Sequence, residues 1–188
     1  TLGHLTDMVN GSDANVIPTA DTSPGMDISA DPTDPSVWTY AGNSWPQEWK
    51  ANSRLDPLAT INAKIGWAAL DLGSVVASLD KMYLWNVRHQ HNTENTDTFN
   101  VYYSSGVGID ALPATPNSKS TTGDYDFSSG DWALLNVGGA LTLPQNPSNN
   151  NTPQLTVDLG GNSAQFIGIE ILTAGGTANR VGLAQVEI

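Results

Sequence analysis

Apolar and polar residues alternate most regularly in the stretch Gly66–Ser104, which reads GWAALDLGSVVASLDKMYLWNVRHQHNTENTDTFNVYYS. Strict alternation is typical of a strand with one buried face. It predicts three strands, at Trp67–Leu72, Met82–Val87 and Phe99–Tyr103. Gly73 supplies a turn between the first two strands, and we expect Trp67 and Trp85 to lie in the core.

A second stretch, Leu155–Leu172, reads LTVDLGGNSAQFIGIEIL and repeats the order of the first. In both stretches an apolar segment is followed by Asp-Leu-Gly, a short spacer and another apolar segment. Each stretch is therefore predicted to be a pair of antiparallel strands with Asp-Leu-Gly at the turn. Val181–Ile188 (VGLAQVEI) is predicted to be the last strand.

The remaining segments favour short strands separated by loops that contain glycine and proline. Val37–Ala41 and Asp131–Val137 are predicted strands, with Trp132 in the core, whereas the prolines of Val16–Ser36 exclude central strands. No segment has a convincing helical pattern, and the helix formers Glu, Lys and Arg are sparse. The chain is therefore predicted to be an all-β sandwich or jelly roll.

Composition and charge narrow the class of partner. The chain has 188 residues, with 19 acidic against 7 basic residues and a net charge of −12. Because the basic residues are scattered, this charge disfavours nucleic acid and anionic lipid as partners. No apolar run approaches the roughly 20 residues that span a membrane. Cysteine is absent, which excludes disulfides and thiolate metal sites.

The chain begins with Thr1 rather than Met and shows no signal peptide. We therefore expect a mature chain or an excised domain. Charged residues are few, and Asn, Thr, Ser, Gly and Asp dominate the polar positions, which is typical of an extracellular β-protein.

The chain becomes polar abruptly after Val87. The next segment, Arg88–Asn95 (RHQHNTEN), holds two of the three histidines. A rigid strand followed by a cluster of hydrogen-bonding side chains indicates a binding loop presented by a sheet. A second polar loop, Thr173–Arg180, also follows an apolar strand.

The polar segment Gly42–Ser53 contains two tryptophans, Trp45 and Trp49. An indole face can pack on the C–H face of a sugar ring, so both are candidates for a sugar-stacking platform. The alternative is that one or both fold back and close the end of the core.

Oxygen donors are closely spaced near the start of the chain, at Asp7, Asn10, Ser12 and Asp13. Such a set suits a hard cation such as Ca²⁺, although the spacing is not that of an EF-hand loop. An ordinary turn rich in Asp and Asn is the alternative.

Three segments, in this order, resemble the galactose-binding-like β-sandwich superfamily. That superfamily includes discoidin or coagulation factor V/VIII type C domains and family-32 carbohydrate-binding modules. The first segment is Leu5-Thr6-Asp7 with the turn Gly11-Ser12-Asp13, which is similar to the family's opening loop. The second is Trp67–Tyr103, similar to the core W-x-x-x-D-L-G … x-L-W-N … F-x-V-Y-x-S. The third is Val181–Ile188, similar to the closing V-G-L-A-E-V-x-F.

The resemblance implies an eight-stranded antiparallel jelly roll that forms one domain over residues 1–188, with an insertion or extended loop region at 16–65. It also implies a structural calcium, held by the acidic loop together with the Ala184 carbonyl and Gln185. Gln185 stands where the family has Glu. An amide oxygen can bind Ca²⁺ but brings no charge, so this departure weakens the expected site.

Ligands of the family bind on loops at one end of the sandwich. By this resemblance the candidate ligand-binding residues are Trp45, Trp49, Arg88, His89, His91, Asn92, Glu94, Asn179 and Arg180. The arginines suit hydroxyls, a carboxylate or a sulfate, the histidines suit sugar hydroxyls, and the asparagines and Glu94 suit vicinal diols. A structural alternative exists for each, such as an ion pair of Arg88 with Glu94 or Asp97.

The sequence favours a non-catalytic carbohydrate-binding module that recognises a polysaccharide or glycan. We expect it to belong to a larger secreted protein, outside the cell or at its surface. A cell-surface or matrix adhesion module that binds a protein is the alternative. Catalysis is not expected, because Arg88, His89, His91 and Tyr102 are joined by no nucleophile motif, carboxylate pair or metal-binding signature.

Overall fold

The structure is a computed structural model. It describes residues 8–10, 26–27, 39–40, 49–51, 66–87, 93–110, 125–128, 130–147, 152–176 and 181–188. In the first four of these ranges it describes the backbone alone. The predicted insertion at 16–65 falls largely outside the described residues, so its extent stays a prediction.

The described residues form ten strands and no α-helix, and every pairing between strands is antiparallel. The strands are β1 (Met8–Asn10), β2 (Met26–Asp27), β3 (Thr39–Tyr40), β4 (Trp49–Ala51), β5 (Gly66–Asn86), β6 (Thr98–Ser104), β7 (Ala133–Leu134), β8 (Leu141–Thr142), β9 (Leu155–Ile171) and β10 (Val181–Glu187). The predicted all-β antiparallel fold is confirmed, while the predicted number of eight strands stays a prediction. The described part of the chain has no helix long and apolar enough to cross a membrane.

The two longest strands, β5 and β9, pair with each other from one end to the other. Gly66 lies opposite Ile171, and Leu84 lies opposite Leu155. The prediction of two separate antiparallel pairs was wrong, because each Asp-Leu-Gly motif lies inside one continuous strand. The two stretches that share this motif are therefore partners in one long ribbon.

The ribbon bends where its register is interrupted, between Asp71 and Lys81 of β5. Asp71 Oδ1 accepts a hydrogen bond from the Gly73 amide (2.8 Å), and Asp158 Oδ1 accepts one from the Gly160 amide (2.7 Å). Both glycines have a positive φ, 78° and 66°, which residues with a Cβ rarely adopt. Both motifs thus make the predicted turn, but the turn bends each strand instead of ending it.

The bend folds the ribbon over one main core. Leu70 and Met82 belong to the same buried cluster, although a straight strand would place them about 40 Å apart. β5 therefore contributes to both layers of the sandwich. Trp67 and Trp85 are 0% and 1% exposed, which confirms that both are buried.

Each layer contains one half of the ribbon. The first layer holds β1, the first half of β5, the second half of β9, β6, β7 and β8. The second layer holds the other halves of β5 and β9 with β10 and β4, and β2 pairs with β3 alone. Because the bend occupies one end, the strand ends at Asn86 and Ile171 lie at the opposite end, which we call the open end.

An aromatic cluster covers the outer face of the first layer. Phe127 is fully buried and stacks on Tyr102, with ring centroids 5.1 Å apart. It lies so close to Gly168 that an added Cβ would be 2.4 Å from a ring carbon. Trp132, a predicted core residue, is half-buried and packs against this cluster.

The same face buries a carboxylate, Glu170, which is 1% exposed. Glu170 Oε2 accepts hydrogen bonds from Asn100 Nδ2 and from the Tyr102 hydroxyl, both at 3.0 Å. Burial, followed by the negative charge of Glu170, raises the pKa of Tyr102 to about 12. The phenol therefore stays protonated and continues to donate this bond well above neutral pH.

Tyr102→Phe removes a hydrogen bond to a charged group and should lower the free energy of unfolding by about 1.5–3 kcal/mol at neutral pH. A raised pKa stabilises the fold fully below the ordinary phenol pKa of 10.0 and loses that effect as the pH rises through about 12. Across this pH range, denaturant unfolding should show the free energy of unfolding of the wild type falling towards that of the variant. Tyr103→Phe, on the opposite face, is the control, and a difference that does not change with pH would contradict the assignment.

Candidate ligand-binding site

Two polar loops leave neighbouring strands at the open end. The first loop, residues 88–95, follows β5, and the second loop, residues 173–180, follows β9. The structure describes residues 93–95 of the first loop and 173–176 of the second. These residues and the adjoining strands locate the bases of both loops.

The bases of the two loops are in direct contact. The Gly175 amide donates to the Asn95 carbonyl (2.9 Å), and the Asp97 amide donates to the Thr173 carbonyl (3.0 Å). Asn95 also forms a β-bridge with Gly182, which follows the second loop. The first loop therefore ends beside both the start and the end of the second.

The two backbones approach most closely at Gly176. A Cβ added there would lie 2.3 Å from the Thr93 Cα and 2.7 Å from the Thr93 carbonyl oxygen. At Gly175 the nearest atoms, on Asn95 and Gln145, would be 3.4 and 3.5 Å away, which is ordinary contact. Glycine at 176 thus allows the two loops to touch without a side chain between them.

A hydroxyl and carboxylate network crosses the surface beside this contact. Thr173 Oγ1 donates to Asp97 Oδ2 (3.0 Å) and accepts from the Thr98 amide (3.1 Å). The hydroxyls of Thr98 and Thr173 are 2.6 Å apart. The network fixes the end of β9 against the start of β6, so the second loop leaves from a defined point.

A third loop, residues 144–153, begins and ends in the same place. The Leu143 amide, just before it, donates to the Asp97 carbonyl (2.8 Å). The Gln154 amide, just after it, donates to the Leu84 carbonyl (2.9 Å). Three loops therefore converge at the open end.

Gln145 of the third loop is exposed. Its Nε2 would lie 3.5 Å from a Cβ added at Gly175, so its amide reaches the base of the second loop. Sequence reasoning did not assign this loop to the site. The available signal was its run of Asn and Gln next to two apolar strands.

Asn86, the last residue of β5, is fully buried and joins the bases of the first and third loops. Its Nδ2 donates to the carbonyls of Thr96 (2.7 Å), Pro144 (3.1 Å) and Leu143 (3.3 Å). Its Oδ1 accepts from the amides of Val87 (3.0 Å) and Thr96 (3.1 Å). Sequence reasoning assigned Asn86 no role, although it closes the Leu-Trp-Asn motif of the family core.

The structure describes the side chain of Glu94 among the predicted ligand-binding residues, and this side chain is half-buried. Trp49 lies in β4, where its backbone pairs with Leu183. The others lie outside the described residues: Trp45, Arg88, His89, His91, Asn92, Asn179 and Arg180. Next to Glu94, Asn95 is buried, and its Oδ1 accepts no hydrogen bond from the residues described.

The structure describes some of the residues implied in calcium binding. Asp7, Ser12 and Asp13 lie outside the described residues, and Asn10 ends β1, where the backbone alone is described. Ala184 lies on β10 between Leu183, opposite Asn86, and Gln185, opposite Trp85. It is therefore the extra residue of a β-bulge, which the ladder leaves unpaired.

The neighbouring Gln185 is buried, and its Nε2 donates to Glu187 Oε1 at 2.7 Å. Because Nε2 makes this bond, the side-chain oxygen Oε1 of Gln185 is the atom suited to a cation. The Ala184 carbonyl and the Gln185 amide oxygen are both of the oxygen-donor type that Ca²⁺ takes. Within the described ranges, no three His, Asp or Glu side chains form a metal-binding group.

Comparison with known proteins relates the chain to solved structures. Neither a protein-family profile nor any curated protein matches the sequence. The CBM32-1 and CBM32-2 domains of Clostridium perfringens ZmpB are similar with a TM-score of 0.50 and 9% identity, over 96% of this chain and 33% of that one. The family 32 CBM of C. perfringens NanJ, in complex with galactose, gives 0.44 and 11% identity, over 100% and 98%.

A family 89 glycoside hydrolase from C. perfringens gives a TM-score of 0.48 and 15% identity over 98% of this chain. The chain spans 14% of the length of that enzyme. At these identities the likeness concerns the fold alone. The predicted resemblance is confirmed at that level, because the chain has the galactose-binding-like β-sandwich fold of family-32 modules.

Gly176→Ala should force the first and second loops apart, because the new methyl group overlaps the Thr93 backbone. The amide chemical shifts of residues 93–98, which lie at the base of the first loop, should therefore change. Gly175→Ala is the matched control, since a Cβ there makes ordinary contacts. Changes of equal size in the two variants would argue against the close approach at Gly176.

Proposed function

We propose that the chain is a non-catalytic carbohydrate-binding module that recognises a polysaccharide or glycan through the loops at its open end. The observation that carries this proposal is the convergence of polar loops on one hydrogen-bonded base, in a fold shared with carbohydrate-binding modules. Loops positioned by a rigid scaffold are common ligand-binding surfaces.

The chemistry of the loops suits a polar, uncharged or anionic ligand. Arg88 and Arg180 supply cations in a chain with a net charge of −12, and arginine makes paired hydrogen bonds to carboxylates and hydroxyls. His89, His91 and Asn92 add donors and acceptors on the first loop. Asn179 and Glu94 suit vicinal hydroxyls, and the third loop adds the Gln145 amide at the base of the second loop.

Trp45 and Trp49 are proposed as the aromatic wall of this site. An indole packed on a sugar ring adds apolar contact to the hydrogen bonds of the loops. Such a site binds each sugar weakly, because few atoms are buried and water competes for every hydroxyl.

We further propose that residues 1–188 act as one domain of a larger secreted or cell-surface protein. Two findings support this: polar positions dominated by Asn, Thr, Ser, Gly and Asp with few charges, and similarity to part of a longer chain.

A structural calcium is part of the proposal. Its ligands would be Asp7, Asn10, Ser12 and Asp13 with the Ala184 carbonyl and the Gln185 side chain. The bulge at Ala184 and the orientation of the Gln185 amide support it.

Sugar binding is tested by calorimetric titration with a panel that includes galactose, N-acetylglucosamine and a uronate oligosaccharide. We expect at least one to bind, and Arg88→Ala or Arg180→Ala to weaken it about tenfold, which is ~1.4 kcal/mol. Lys81→Ala removes an exposed cation that lies on β5 near the bend, and it should bind as the wild type does. The proposal fails if no sugar of the panel binds at millimolar concentration, with or without calcium.

Calcium is tested separately by thermal unfolding in excess Ca²⁺ and in chelator. Saturation at about 100 times the dissociation constant adds ~2.7 kcal/mol to the free energy of unfolding. Asp13→Ala should abolish this gain, while Gln185→Glu should enlarge it by restoring a carboxylate ligand. Identical unfolding midpoints in calcium and in chelator would reject the calcium site, and the proposal of sugar binding would still stand.

A further inference from the structure

Asn86 and Thr96 lie where the bases of all three loops meet, and they are 0% and 1% exposed. We propose that these two residues form a clasp that holds the bases of the three loops in one arrangement before any ligand binds. Both are positioning residues, which act on the ligand through the loops. The consequence for affinity rests on the proposed function, whereas the clasp itself does not.

The clasp closes the first loop. The amides of Val87 and Thr96, which flank residues 88–95, both donate to Asn86 Oδ1, at 3.0 and 3.1 Å. One oxygen atom therefore bridges the two ends of the loop. Asn86 Nδ2 adds a bond to the Thr96 carbonyl at 2.7 Å, so Thr96 is held through both of its main-chain groups.

The clasp reaches the second loop through Thr96. Its Oγ1 donates to the Gly182 carbonyl at 2.9 Å. Gly182 lies just after the second loop, and Thr96 also forms a β-bridge with Ala174 within it. A single residue thus contacts both ends of the second loop.

The clasp holds the third loop through Asn86. Nδ2 donates to the carbonyls of Leu143 and Pro144 where that loop begins. The Asn86 amide donates to Gln154 Oε1 (2.9 Å) where the loop ends. All three loops are therefore joined to two adjacent, buried side chains.

This arrangement gives the bases of the polar loops a fixed geometry. Polar loops have few buried apolar contacts to order them, so their stability depends on local hydrogen bonds. Buried bonds serve this purpose well, because breaking one leaves an unsatisfied polar group in the interior. Loops that are ordered in advance lose less conformational entropy on binding, which raises affinity for a ligand that fits them.

The test uses hydrogen exchange and sugar titration on the whole chain. Thr96→Val removes the bond to Gly182 at almost constant volume, and Thr96→Ser keeps the hydroxyl as the matched control. Asn86→Ala removes the whole carboxamide, and Thr96→Val is the milder variant if Asn86→Ala does not fold. The reporting amides are Asp97 and Gly175, which are bonded between the loop bases. Amides of the β6–β9 ladder serve as the internal reference.

We expect Asp97 and Gly175 to exchange about tenfold faster in Thr96→Val, with wild-type exchange in the ladder and in Thr96→Ser. The sugar that binds the wild type should bind Thr96→Val several-fold more weakly. The clasp is refuted if exchange at the loop bases is unchanged, or if it accelerates equally in the ladder. Faster exchange with unchanged affinity would refute the positioning role.

The two proposals fail in distinguishable ways. If no sugar of the panel binds the wild type, the proposed function is rejected. Hydrogen exchange alone then still decides whether the clasp orders the loop bases. If sugar binds but exchange does not respond to Thr96→Val, the function stands and the clasp does not.

Discussion

The pairing of β5 with β9 on both sides of the bend is the interaction on which both layers depend. The two strands remain partners from Gly66 and Ile171, around the bend, to Leu84 and Leu155. Neither layer can form its central strands without the other, because each strand supplies both. β1 and β10 attach to β5, and β6 attaches to β9, so the rest of the sandwich is assembled on this ribbon. Because the ribbon bends back over itself, the loops of both layers lie at one end of the sandwich.

Local pattern was sufficient to predict the segments of the long strands β5, β6, β9 and β10, but not how the segments are connected. The alternation in residues 67–72 and 82–87 identified both segments, and the Asp-Leu-Gly motif identified a real turn with Gly73 at positive φ. A hairpin and a bent strand have the same alternation and the same turn residues, so the sequence could not distinguish them. The distinction comes from pairing between segments that are distant in the sequence, such as Trp67 with Glu170.

The candidate site, like the fold, could be predicted only in part from the sequence. Its first and second loops could be predicted, because a change from apolar to hydrogen-bonding residues after a strand is visible in the sequence. The role of Asn86 could not be predicted, since an asparagine at the end of a strand reads as a solvent-exposed residue. Only the folded chain brings the carbonyls of Thr96, Leu143 and Pro144 around it and makes burial favourable. Trp67 and Trp85 were predictable for the opposite reason, because large apolar side chains have few alternatives to the core.

The partners of the Asn86 carboxamide are all main-chain groups, the carbonyls of Thr96, Leu143 and Pro144 and the amides of Val87 and Thr96. A main-chain carbonyl is present whatever side chain a residue carries. Side chains of the loops can therefore be exchanged without removing the bonds of this carboxamide. An antibody framework separates recognition from folding in the same way. The sandwich is thus suited to randomised loop libraries, from which binders for unrelated ligands can be selected.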